Sequence, residues 1–471
     1  MTLLNKKNAQ ESQMENWLKN RIKKLNRLEA INGEYVLYWM QQSQRAEENH
    51  ALEYAIYEAN QQNKTVVVVF SLTADYPDVN LRHYTFMLEG LIETKKILEK
   101  RGIRMIFRIG HPVEEVLDIG LKAFMIVCDR GYLRHQRAWR KAVAEKSNCP
   151  VVQVETDVVI PVEQVSDKAE YAAYTIRPKI NRQLDQYLIP IERIELRNSS
   201  LDIFLKNTEL DSIKTVLGDL NVDDSIPPVS HIFRGGTSEA KARFEVFLDQ
   251  HFSSYAAHRN EPKYLAVSCM SPYLHFGQIS PLYLALKIKA CKNENQEAAA
   301  VYLEELIVRR ELAANFVYFN AHYDSLACLP AWPTKTLAEH ENDAREPVYS
   351  KSQLITCHTH DEYWNAAMKE MIVTGFMHNY MRMYWGKKIL EWSPTPERAY
   401  ETMMDLNNAY FIDGRDPNSY AGVGWIFGLH DRAWFERPIF GKVRYMAASG
   451  LERKCDIKGY VNRVNSISRS M

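Results

Sequence analysis

Five short apolar runs in the first third of the chain, EYVLYWM, TVVVVFSL, IRMIFRI, AFMIVCD and VVQVE, leave little choice about how that part folds. Their hydrophobic residues are consecutive rather than alternate, so each run must be buried on both faces. A strand meets that demand inside a layered structure, with helices above and below a mostly parallel sheet. The intervening segments have the length and period of those helices. RHYTFMLEGLIETKKILEKRG is one, closed by Gly102. Residues 34–162 therefore read as a doubly wound α/β domain with a parallel sheet. The domain holds neither GxGxxG nor a Walker sequence, so it is assigned neither a dinucleotide nor ATP.

The remainder has a different texture. Residues 163–236 read as a connector with Pro- and Asp-rich turns (DDSIPPVS), ending in RGGTSEA, and residues 237–471 read as an all-α C-terminal domain. Residues 1–33 read as a charged helical arm, because NWLKNRIKKLNRLEAI spaces its apolar positions helically with Lys and Arg between them. No repeat or low-complexity tract interrupts this order. At 471 residues two or three domains are expected. Lys+Arg and Asp+Glu each number 59, so any field that attracts nucleic acid must be local. The seven cysteines form no CxxC or CxxH pair, which fits reduced thiols in a cytoplasmic compartment rather than disulfides or zinc. The polar N-terminus lacks the apolar core of a secretory signal, and no apolar run approaches the ~20 residues of a membrane helix. The expectation is a soluble intracellular protein.

Chemistry concentrates in TGFMHNYMRMYWGKKILEW, Thr374 to Trp392. Trp385 and Trp392 are seven residues apart and share a helical face, about 10 Å apart along the axis. Trp364 lies one helix upstream. Indoles at helical spacing serve a core well; closely spaced beside the fixed cation Arg382, they also suit electron movement to a buried redox group. Together with ANFVYFN upstream and LNNAYFIDGRDPNSYAGVGW downstream, this segment resembles the photolyase/cryptochrome flavoproteins, in detail the class II cyclobutane pyrimidine dimer photolyases. The resemblance runs from about Tyr35 to about Tyr460.

The resemblance implies an N-terminal antenna-type domain, often carrying an 8-hydroxy-5-deazaflavin, and a helical domain that binds FAD. It implies UV-damaged DNA as partner, for a monomer with no obligate protein partner. VSCMSPYLHFGQISP holds two Ser-Pro helix openings, whose hydroxyls and free amides serve as caps or as an anion site. By resemblance Ser268, Cys269, Met270 and Ser271 wrap the FAD phosphates, with Tyr255 reaching them and Arg259 in support. Arg382 faces the flavin and pairs with Asp413, a carboxylate that a guanidinium fork can meet bidentately. Asn407 matches the asparagine at flavin N5, and Asn315 is a further flavin-side candidate.

On EELIVRRELAANF, charge spacing alone allows a solvated Glu305–Arg309 pair. The resemblance instead sends Glu305 into the substrate cavity, against one thymine of the dimer. Some class II relatives carry Trp where this chain has Arg309, so Arg309 inherits no role. Met383, Trp425 and Trp434 match residues lining the dimer pocket, a wedge of indoles and thioether suited to a V-shaped lesion. From Arg432 to Arg469 nine cations (Arg432, Arg437, Lys442, Arg444, Arg453, Lys454, Lys458, Arg463, Arg469) face four carboxylates, which reads as a phosphate-binding face. Arg432 is expected in the gap that the extruded dimer leaves. Trp385 is expected nearest the flavin, then Trp364, with Trp392 third or branching. The reaction implied is light-driven repair by electron transfer from reduced FAD; a cryptochrome-type photosensor and a (6-4) photoproduct lyase are the alternatives.

Overall fold

The protein is described here by a computed structural model covering residues 17, 18, 20–218, 220–291 and 295–469. All five apolar runs are strands: β2 (Tyr35–Trp39), β3 (Thr65–Leu72), β4 (Arg104–Ile109), β5 (Ala123–Asp129) and β6 (Val151–Val154). They pair in parallel. Along one strand successive side chains serve opposite faces. Val36 and Tyr38 of β2 join one core, with Val66 and Val68, while Tyr35, Leu37 and Trp39 join another, with Val67 and Val69. That division is why the runs are apolar at every position.

The charged helical arm expected over 1–33 needs correction. Residues 1–16 and 19 lie outside the described residues; Trp17 and Leu18 are helical, but Ile22–Lys24 forms a strand, β1. It runs antiparallel to β6, with Ile22 opposite Val154, so the sheet order is β1-β6-β5-β2-β3-β4 and the sheet is mixed. Its three side chains are exposed, so the pairing rests on backbone bonds, which carry no hydrophobic signature in sequence. β1 covers one sheet edge. The connector covers the other, where Phe107 N donates to Asn207 Oδ1 at 2.7 Å and Thr208 N to the Phe107 carbonyl at 2.8 Å.

Among the described residues every regular element beyond β6 is a helix, apart from a single bridge between Arg437 and Gly441. Two buried arginines lock this part to the sheet domain. Arg82, on α1 (Leu81–Lys100), donates to the carbonyls of Tyr410 and Ile372, each at 2.6 Å. Arg45 pairs with Asp157 at 2.8 Å and donates to the Gly277 carbonyl at 2.9 Å. The helices that carry the site are α2 (Arg310–Phe319), α3 (Glu362–Thr374), α4 (Asn379–Trp392), α5 (Pro396–Tyr410) and α6 (Pro417–Ile426); α7 (Ile457–Arg469) packs on α3. Their starts follow ordinary capping: Asp361, Thr395 and Asp416 accept from first-turn amides, and Pro opens α5 and α6. No helix among the described residues is long and apolar enough to cross a membrane.

Candidate functional site

The site is organised by the sharp turn between α3 and α4. Gly375 ends α3 at φ 70°, where an added Cβ would lie 2.6 Å from Ile412, so only glycine fits there. The turn brings the Met377 carbonyl back over α4, where it accepts from Arg382 Nε at 3.1 Å. Arg382 Nη2 reaches both oxygens of Asp413 at 3.0 Å. The pairing expected from sequence exists, but a single nitrogen serves both oxygens rather than a two-nitrogen fork, because Nε is committed to the turn. The guanidinium lies 3.9 Å from the centre of the Phe411 ring, and the Trp385 ring lies 6.3 Å from Phe411 on another side. His378 caps α4 through Nδ1; burial, then Arg463, push its imidazole down to about 4, so it is neutral.

The three tryptophans are linked, Trp364 to Trp392 ring to ring and Trp364 to Trp385 through a backbone carbonyl. Trp364 is fully buried, donates from Nε1 to the Trp385 carbonyl at 3.0 Å and meets Trp392 edge-on at 5.6 Å. Trp385 Nε1 is buried without a protein acceptor. Trp392 touches Tyr349 and the exposed His360, both at 5.3 Å, and the Tyr349 hydroxyl sits 2.8 Å from His360 Nδ1. The aromatic run thus extends to the surface through two residues that the sequence analysis did not single out. Their separation from Trp392 along the chain hides them.

Asn407 lies near the end of α5, buried, with Nδ2 donating to Asn408 Oδ1 at 3.0 Å. It does not cap its helix. Asn315 lies against the connector, where its side chain accepts from Glu170 N at 2.8 Å and donates to the Lys168 carbonyl at 3.0 Å. Cys269 turns the Ser268–Ser271 loop at φ 55°, and Tyr302, packed on Tyr255 at 5.4 Å, donates its hydroxyl to Ser268 Oγ at 3.0 Å. Met270 caps the short helix that Ser271 begins, so the Ser-Pro opening at Ser271 falls one residue inside it, while Ser280 caps its own helix as expected. Burial pushes the Cys269 thiol up to about 11, and the charges acting on it are Arg243, Glu370, Arg463 and Arg382. Arg463 comes from α7, where it pairs with Glu370 at 2.5 Å. Arg243, Arg463 and Arg382 thus set their guanidinium groups near this loop, Arg463 paired with Glu370 and Arg382 with Asp413. Arg243 and Arg463 had no local signal, since each is recruited across the chain.

The solvated Glu305–Arg309 pair does not form. Residues Glu304–Arg309 make one π-helical stretch, whose extra residue per turn rotates the side chains out of the i,i+4 register. Arg309 faces Glu304 at 3.5 Å, and Glu305 pairs with Arg259 at 2.9 Å, beside Tyr255. Half-buried Met383 and Trp425 lie at the packed helices, with Trp425 Nε1 buried and unpartnered. Arg444 stands between Trp425 and Trp434, 5.9 Å and 4.3 Å from their rings, held by Asp431 at 3.0 Å. Arg432 is exposed and lies 5.2 Å from the Trp434 ring. The basic 432–469 face is therefore smaller than its composition: Arg444 and Arg463 are turned to internal carboxylates.

A cleft opens at the carboxyl ends of β2 and β3, lined by Trp39, Gln44, Tyr76, Trp139, His275 and Arg415. β2 lies between β3 and β5, the switch point at which open α/β sheets hold ligands. Gln41 Oε1, Gln44 Oε1 and Arg415 Nε are buried there without partners. Among the described residues no cluster of His, Cys, Asp and Glu could hold a metal.

Residues 36–196 match the DNA photolyase family. The chain is 48% identical to a deoxyribodipyrimidine photo-lyase of Methanothermobacter thermautotrophicus, over 95% of this chain and 98% of that protein. It is 38% identical to a protein of the same name from Arabidopsis thaliana, over 92% of this chain and 89% of that one. Its fold is similar to that of a class III photolyase from Agrobacterium tumefaciens, with a TM-score of 0.73 at 16% identity, covering 92% and 87% of the two chains.

Proposed function

Because the chain belongs to the DNA photolyase family of repair lyases, we propose that it splits cyclobutane pyrimidine dimers in UV-damaged DNA by light-driven electron transfer, in the manner of the class II enzymes. The observation that carries this reading is the linked assembly of Asp413, Arg382, Phe411, Trp385, Trp364 and Trp392, in which Trp364 meets Trp385 at its backbone carbonyl. The site suits FAD: arginines beside the loop for its diphosphate, a guanidinium for an anionic ring, and indole donors without protein acceptors. Bound in its reduced state, FAD supplies the photoexcited electron that opens the cyclobutane ring and the acceptor for its return.

The residues have separate tasks. Tyr255 and Ser268 to Ser271 would hold the diphosphate, and Asn407, one of whose Nδ2 hydrogens bonds Asn408, would meet flavin N5 with its side-chain amide. Arg382 holds negative charge on the ring, and Asp413 keeps that guanidinium aimed. Photolyases as a class act on an extruded base; here Met383, Trp425 and Trp434 receive the dimer, Glu305 meets one thymine, and Arg444 stiffens the indole wall. Trp392, Trp364 and Trp385 relay electrons inward to restore the reduced state. The cleft at the switch point suits an antenna chromophore of 8-hydroxy-5-deazaflavin type, whose flat ring its aromatic and amide lining would hold. Free thiols at all seven cysteines fit a reducing, cytoplasm-like compartment.

The test is illumination of reduced protein with a dimer-containing oligonucleotide. Thymine absorbance should recover in blue light and stay flat in the dark. No recovery in light, with the lesion bound, would overturn the reading.

A further inference from the structure

Arg432 to Pro438 is exposed at every residue, yet it is well braced. Trp434 N donates to the Lys442 carbonyl at 2.8 Å, Arg437 and Gly441 exchange backbone bonds at 2.9 and 2.8 Å, and Ile439 N donates to Asp343 at 2.7 Å. Behind the segment, Arg444 is pinned between Asp431 and the Trp434 ring. At its tip Phe435 is 91% exposed. A single exposed apolar side chain is ordinary on a protein surface, and Phe204, 96% exposed on the connector, is such a case.

Three features separate Phe435 from it. Its backbone cannot fold the ring away, because the hydrogen bonds on either side fix the loop. Cations lie along the segment, Arg432, Arg437 and Lys442, and the carboxylates beside them are engaged: Glu436 by His340 at 3.1 Å and Lys442 at 3.8 Å, Asp431 by Arg444 at 3.0 Å, and Asp343 by His340 and Ile439 N. It also follows Trp434 directly, at the mouth of the indole wall, while Arg432 is drawn back against that indole. An apolar ring rigidly presented among cations is complementary to duplex DNA, whose phosphates meet the cations while a base step admits the ring.

We propose that Phe435 is a wedge that enters the base stack beside the extruded dimer and makes recognition depend on the lesion being in a duplex. This rests on the reading that the substrate is a dimer flipped out of DNA. It assigns to Phe435 the gap-filling role expected of Arg432, which is left to the phosphates.

The test compares Phe435→Ala and Phe435→Leu with the unchanged protein, in the dark, by binding to the same dimer in a duplex and in a single strand. Phe435→Ala should weaken duplex binding about tenfold, the scale of losing one stacked ring, with single-strand binding nearly unchanged. Leu, also an apolar wedge, should recover most of the loss. A fluorescent base analogue flanking the dimer should brighten on binding the unchanged protein and less with Phe435→Ala. Equal losses on both probes, or none on either, would overturn the proposal. A failure of the unchanged protein to prefer the dimer over undamaged DNA would instead bring down the repair reading, and this proposal with it.

Discussion

At Arg382 one guanidinium does two jobs: Nη2 holds Asp413 while the plane covers Phe411, the ring that also touches Trp385. In the proposed function, that contact ties the electron relay to the charge that tunes the cofactor. Trp385→Phe keeps an aromatic filler at a position 2% exposed but removes the indole. Photoreduction of oxidised FAD should then slow by at least about tenfold, a barrier change of about 1.4 kcal/mol. Repair should persist once the flavin is reduced chemically. Photoreduction at the ordinary rate would return Trp385 to a core-packing role. Glu305→Gln tests the substrate side. It leaves Arg259 without its carboxylate, and repair yield per flash should fall several-fold while affinity changes less than about twofold, under roughly 0.4 kcal/mol. Equal falls in yield and affinity would make Glu305 a binding residue only.

At the scale of elements, α4 carries a cost as well as the relay. Lys387 is fully buried, its Nζ donating to the Ile426 carbonyl at 2.5 Å, and burial pushes its ammonium from 10.5 down to about 7. The sign follows from linkage. Above 10.5 the group is neutral in both states and costs nothing; between 10.5 and about 7 only the unfolded chain is protonated, so stability falls as pH falls. The slope is at most about 1.4 kcal/mol per pH unit. Lys387→Met should therefore gain on the unchanged protein as pH drops from 10 to 7 and hold a constant lead below that, read by denaturant unfolding at each pH. A difference independent of pH would place the ammonium in water.

The exposed loop makes a further prediction. Arg437→Gln with Lys442→Gln should lower the salt dependence of DNA binding by about 0.9 per lost contact. Arg444→Gln should weaken binding alike at every salt concentration, because Arg444 braces the indole wall. An unchanged slope in the double variant would move the phosphate face elsewhere. What the sequence conceals at this scale has physical causes. A π-turn moved Glu305 from Arg309 to Arg259, and β1 pairs by backbone alone through exposed Ile22–Lys24. Arg463 reaches Glu370 across 93 residues. The buried strands β2 to β6 and the Trp364–Trp385–Trp392 set were legible because consecutive apolar residues and fixed helical spacing record burial directly.

Over the whole molecule, Arg45 and Arg82 bind the sheet domain to the helical part through buried carbonyls and Asp157. The cleft at the ends of β2 and β3 therefore keeps a fixed relation to the Arg382 site, as energy transfer from an antenna requires. His275 and Arg415, from the helical part, line that cleft, so it exists only in the joined molecule. Neither residue stood out in the sequence, since the cleft closes only when loops distant in the chain meet. The account rests on one claim, that light acting at the Arg382 site opens a dimer held against Trp425 and Trp434. The most direct measurement is thymine absorbance after single blue flashes, on dimer-containing duplex bound to protein whose FAD was reduced chemically in the dark. Recovery should step up with each flash, alike in the unchanged protein and in Trp385→Phe, and stop between flashes. Recovery that proceeds in the dark, or none in either protein with the lesion bound, would contradict the account.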